Sequence, residues 1–151
     1  MAEAIKRSDP SGWIARQQIG AGTATHLPVR CDMVALTFNS TANGSLIQWQ
    51  NPENVAVLAT VIIHTTVAGT GTAGVDIGVG TVNGSSDNLL DAARVDTLDF
   101  VRAGSADLGT NGRQWRRMSA KGGTADYITG KANDIDATAG ANAYITYIPV
   151  S

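Results

Sequence analysis

The clearest alternation of apolar and polar positions begins at Asp32. In "DMVALTF", Val34, Leu36 and Phe38 fall on one face, and Met33, Ala35 and Thr37 on the other. That is the period-two pattern of a strand with one buried face. The turn cluster "STANGS" leads into "SLIQWQ", where Ile47 and Trp49 share a face opposite Leu46. After "NPEN" comes the longest run, "VAVLATVIIHTTV". Val55, Val57, Ala59, Val61 and Ile63 line one face, and Leu58, Ile62 and His64 line the other. Both faces read as buried, which predicts a central strand. "VDIGVG" at 75–80 alternates again. Later strands are predicted in "RQWRRMSA", "ADYITGKAN" and "AYITYIPV". Only "LLDAARVDTLDFV" is ambiguous: Leu89, Leu90 and Ala93 suit a helical turn, while Val95, Leu98 and Phe100 fit neither period. Roughly seven or eight strands with turns every 8–12 residues predict an all-β, antiparallel β-sandwich or jelly-roll-like domain.

Gly69, Gly71 and Gly74 spell G-x-G-x-x-G, the spacing of a dinucleotide-binding turn. Such a site needs a helix after the turn, because the helix N-terminus holds the pyrophosphate. The residues that follow alternate with period two and include two more glycines, a poor helix start. The stretch therefore predicts a hairpin loop joining two antiparallel strands, with no NAD site.

Residues 1–29 lack this alternation. Pro10, Gly12, Gly20, Gly22 and Pro28 interrupt scattered apolar residues. We divide the chain into an extended N-terminal arm, 1–29, and a β-sandwich domain, 30–151. Trp13 and Ile14 are costly to leave in water, so the arm, with Arg16, is expected to dock on a surface of its own or a neighbouring subunit.

Composition supports the strand reading. Glutamate occurs only at Glu3 and Glu53, and lysine only at Lys6, Lys121 and Lys131. Long surface helices, normally rich in both, are not expected. A net charge of −2 gives no bulk electrostatic case for nucleic acid. The longest mostly apolar stretch, 55–63, is too short to span a bilayer, and no signal peptide is evident; the expectation is a soluble protein made in a cytoplasm, without membrane contact. The single cysteine, Cys31, forms no internal disulfide and is expected to be a buried thiol.

Chemistry is sparse. His26 and His64 each stand alone in their segments, and with Cys31 they offer no ligand spacing that recommends a zinc site and no context that recommends a Cys–His nucleophile. "DIDATAG" (134–140) lacks the spaced ligands and terminal glutamate of an EF-hand loop and reads as a solvated loop. The chain is predicted to be no enzyme and to need no cofactor or metal. The one basic cluster is "GRQWRRM". Arg113, Trp115, Arg116 and Arg117 have the composition of a protein-interface hot spot, of a phosphate or base-stacking contact, or of a strand edge guarded by charge; the acidic balance of the chain favours the first and the last.

The texture of residues 32–150, and above all the phrases "SSDNLLD" and "AYITYIPV", resembles the decoration, or cement, proteins of tailed-bacteriophage heads. The resemblance implies a β-sandwich or jelly-roll homotrimer on the outer capsid surface. It would bind the major capsid protein and clamp neighbouring capsomers. Two alternatives stand beside it: another virion component, such as a tail or fibre protein, and a carbohydrate-binding module using Trp49, Trp115 or a tyrosine as a stacking platform.

Overall fold

The computed structural model describes residues 28–70, 74–104 and 112–150. Among these residues there are nine strands and no helix: β1 (Arg30–Ala35), β2 (Ile47–Gln50), β3 (Val57–Val67), β4 (Gly74–Gly80), β5 (Leu90–Arg94), β6 (Phe100–Arg102), β7 (Arg116–Met118), β8 (Tyr127–Ala132) and β9 (Gly140–Pro149). One sheet has the order β1-β9-β3-β6, with β7 beside β6 on the same edge of β3. The other has the order β2-β8-β4-β5. Every pairing is antiparallel. The domain is the predicted antiparallel sandwich.

The pairings nest. β1 pairs with β9, β2 with β8, β3 with β6, and β4 with β5. The chain is thus one long hairpin, bent between β4 and β5, whose successive rungs fall in alternating sheets. A ribbon rolled in this way is a jelly roll. β7 is an added strand on the returning arm.

The rolling explains two departures from the sequence reading. First, β3 and β4 are not a hairpin; they lie in different sheets. Both edges of β3 are already taken, one by β9 and the other by β6 and β7, so the chain leaving β3 must cross the sandwich. The crossing is anchored, since Gly69 N–H donates to Val95 O at 2.9 Å. Second, β1 ends at Ala35 although "DMVALTF" alternates through Phe38. Leu36 N–H donates to Ala141 O of the first sheet, and Thr37 N–H to Leu46 O near the second. The chain changes sheets there while Leu36 and Phe38 stay buried. Side-chain alternation therefore outlasts the ladder. The ambiguous segment after Leu89 resolves into β5 and β6.

β3 is central, as expected. Val57, Ala59, Val61 and Ile63 are fully buried against the opposing sheet's Val75, Ile77 and Ile128 and their neighbour Ile145 on β9. Each fully buried Val or Ile contributes roughly 1.5–3 kcal/mol relative to exposure. The strand's other face is only half-buried at Leu58, Thr60, Ile62 and His64, and Val55 lies before the strand, 43% exposed. The sequence reading buried that outer face; the structure leaves it facing out.

The two sheets treat their outer faces differently. On the second sheet the 81–89 loop lies across the strands. Thr129 Oγ1 donates to Gly84 O at 2.8 Å, and Gln48 Nε2 to Asn83 Oδ1 at 2.8 Å. Asn88 accepts from Val79 N–H and donates to Val79 O. Small residues permit this. A Cβ on Gly78 would meet Ser86 Oγ at 2.5 Å and Asn88 Oδ1 at 2.6 Å, so glycine is needed there for space. On the first sheet the outward residues are larger and retain solvent access.

Candidate functional site

β7 positions the basic cluster. It pairs with Val57, Leu58 and Ala59 of β3, on the same edge as β6, which pairs with Ile62, Ile63 and His64. Met118 points inward and is fully buried, which fixes the strand's register. Arg117 stands opposite Leu58 on the outer side and is exposed. Arg116, opposite buried Ala59, is half-buried, and its Nε donates to Asn88 O at 3.1 Å. Arg113 N–H donates to the same carbonyl at 3.0 Å. Trp115, just before β7, is 38% exposed. An open cleft of about 440 Å³, lined by Ala56, Arg117, Met118, Ser119 and Ala120, lies at this end of β3. Trp13, Ile14 and Arg16, the other predicted interface residues, lie outside the described residues.

β6 adds two residues that sequence reasoning missed. Phe100 (59% exposed) and Arg102 stand on the outer side opposite His64 and Ile62. The Phe100 ring stacks on His64, with centroids 4.3 Å apart and planes 8° from parallel. A strand of three residues shows barely one cycle of alternation, too little to detect.

Other predictions are corrected here. Cys31 is exposed, because it occupies an outward position on the edge strand β1. Trp49 cannot serve as a glycan platform. It is 9% exposed, packs on Tyr147 with ring centroids 5.0 Å apart, and donates through Nε1 to Asp32 Oδ2 at 2.8 Å. The "DIDATAG" loop is not simply solvated, since Asp136 is buried. Its carboxylate accepts from the hydroxyl and N–H of Thr138 and from the N–H and hydroxyl of Thr70. Led by the Thr138 hydroxyl, these donors hold the Asp136 carboxyl far below the ordinary aspartate range. The loop is tied to the β3–β4 crossing by its own side chain. Asp126 is similar: burial pushes its carboxyl up, but hydrogen bonds from Gln50 and Gly122 N–H outweigh that and hold it below its usual value. Both carboxylates accept hydrogen bonds that tie loops of the fold together. Among the described residues, no group of three His, Cys, Asp or Glu side chains is placed to hold a metal ion.

Taken together, the geometry places an arginine- and aromatic-bearing edge, β6 and β7, beside an outward sheet face. Such an arrangement can bury apolar area and pair carboxylates on a partner. No family model matches the chain, and no curated protein matches it. Two solved structures are similar to it, and both are phage capsids. A chain of the cyanophage Pam1 capsid asymmetric unit is 13% identical, with a TM-score of 0.49; the match covers 88% of this chain and 93% of that one. A chain of the acid-stable capsid of Helicobacter pylori bacteriophage KHP30 is 14% identical, with a TM-score of 0.38, covering 82% of this chain and 89% of that one.

Proposed function

We propose that this chain is a structural protein of a phage virion: a decoration, or cement, protein that sits as a homotrimer on the outside of the head and binds the major capsid protein. The observation that carries the reading is the β7 edge. A partly exposed tryptophan stands between arginines just before a strand too short and too charged to recruit another sheet. The phrases behind the family resemblance are structural parts of this domain. "SSDNLLD" runs from the loop over the second sheet into β5, and "AYITYIPV" lies in and just beyond β9, a central strand of the first. The arm residues Trp13, Ile14 and Arg16 are assigned to the same attachment.

Purified particles of the encoding phage test the reading. The chain is expected on the head in a fixed ratio to the major capsid protein. Its absence from heads, or its presence only in tails, overturns the decoration role. Trp115→Ala is expected to weaken attachment by at least about 2 kcal/mol, the scale of a hot-spot tryptophan. Light scattering coupled to size exclusion reads the subunit number; a monomer at micromolar concentration overturns the trimer.

A further inference from the structure

The outer face of the first sheet has a character of its own. It is built from the outward positions of β1, β9, β3, β6 and β7. Direct cross-strand partners share a face, so the register defines its rows. One row runs Met33, Tyr144, Ile62, Arg102. Another ends Ile148, Leu58, Arg117. Met33 is 61% exposed, and Tyr144, Ile62, Ile148 and Leu58 are half-buried. Between these rows lie Cys31, Thr146 and Thr60, so the face carries two solvent-accessible apolar rows separated by threonine hydroxyls. Its only formal charges are Arg102 and Arg117, both on the β6–β7 side; no outward position of these five strands is Asp or Glu.

We infer that this face is a docking surface for a protein partner that sets apolar side chains against its two apolar rows and bears carboxylates at its rim. Size, charge and exclusion of the alternatives support this. β3 has 11 residues and β9 has 10. At about 3.4 Å per residue and about 4.8 Å per strand, four strands give a face of about 35 by 19 Å. That rectangle, about 670 Å², is an upper bound because β1, β6 and β7 are shorter than β3 and β9, and it is most of the roughly 800 Å² each partner contributes to a standard interface. Two copies meeting through this face would bring arginines and no carboxylates. The chain's other broad face offers little apolar complement, because the 81–89 loop and Gln48 cover it with polar groups and Val82 is the one large apolar side chain that the loop exposes. Residues 1–27 carry Lys6, Arg7 and Arg16 against Glu3 and Asp9, so the chain's own arm supplies no net negative charge. The occupant must bring carboxylates that this face lacks.

This inference rests on the virion reading only for the partner's identity, the head surface. Two probes separate them. The first is a random copolymer of glutamate and tyrosine, with polylysine as control. The second is heads assembled without this chain. Both are applied to the full chain, to Ile62→Glu and Tyr144→Glu at the centre, to Arg102→Glu and Arg117→Glu at the edge, and to Gln48→Glu on the opposite sheet. Circular dichroism and a cooperative melt select the variants that fold. The wild type is expected to bind the copolymer and not polylysine. The central variants should lose at least 30-fold in affinity for both copolymer and heads, and the edge variants about 10-fold. Gln48→Glu should bind as wild type. Added salt should weaken the wild type more than the arginine variants. Copolymer binding that depends on this face, without any head binding, overturns the virion reading and leaves the docking surface standing. Head binding that ignores folded central variants overturns the docking surface and leaves the virion reading standing. Failure to bind the copolymer, or a change in subunit number in the central variants with head binding intact, also overturns the inference; the second result would assign the face to another copy of this chain.

Discussion

Asn51 is fully buried where the β2–β3 connection meets the β7–β8 connection. Its Nδ2 donates to Val55 O at 3.1 Å and to Ser119 O at 2.8 Å, and its Oδ1 accepts from Glu53 N–H at 3.0 Å. Asn51→Ala removes all three bonds and leaves the Val55 and Ser119 carbonyls and the Glu53 N–H without their partner beside a buried position. At about 1 kcal/mol net for each bond, the loss comes to about 3 kcal/mol. For a domain of this size that is a fall in melting temperature of about 6–12 °C. Urea unfolding followed by tryptophan fluorescence measures it directly, because buried Trp49 lies two residues away. Asn51→Asp provides an internal check. A carboxylate would face the Val55 and Ser119 carbonyls without a donor, so this variant should be less stable than the alanine variant at pH 7 and recover part of the difference near pH 4, where protonation restores one donor. A loss below about 1 kcal/mol for Asn51→Ala would refute the claim that this amide holds the two connections together.

Three further outcomes are expected. Ala92 has φ 54°, a left-handed conformation that costs a residue with a Cβ roughly 1–2 kcal/mol; Ala92→Gly should be neutral or stabilising in a urea melt, whereas Ala92→Val should destabilise by more than about 1 kcal/mol. The Asp136 carboxyl is held below its unfolded value, so its contribution is complete above about pH 4 and is lost as pH falls through the folded value. Calorimetry from pH 7 to pH 2 should show the gap between wild type and Asp136→Asn closing on the acid side; a constant gap contradicts the linkage. Cys31 is exposed, so one thiol per chain should react with a disulfide reagent in the native protein as fast as in urea; protection in the native state would place the outward face of β1 under cover.

Most of the strands were legible because a half-buried strand writes its two faces into alternate residues. Val57, Val61 and Ile63 made β3 plain, and Ile145 and Tyr147 made β9 plain. Strand partners were not legible. Nothing within "HTTVAGTGTAGVDIGVG" tells a hairpin from a crossing between sheets, because the difference lies in β9, β6 and β7 having already filled the edges of β3. Cys31 was misread for a related reason: a residue type's average burial says nothing of which face of an edge strand it occupies. Of the candidate site, Arg113, Trp115, Arg116 and Arg117 stood out as a local cluster. Phe100 and Arg102 did not, because strand pairing across the sheet is what brings them beside His64 and Ile62.

The nested pairing has a mechanical consequence. β1 begins at Arg30 opposite Tyr147, near the end of β9, so both ends of the domain leave the same end of the same strand pair. Tension that draws those ends apart loads the Arg30–Tyr147 rung first, then Cys31–Thr146, then each rung in turn. The bonds fail singly, as in a zip. A load spread over the outer face of the first sheet is instead shared by every rung of the ladder at once. The domain is thus built to resist force through its broad face and to yield to force through its ends.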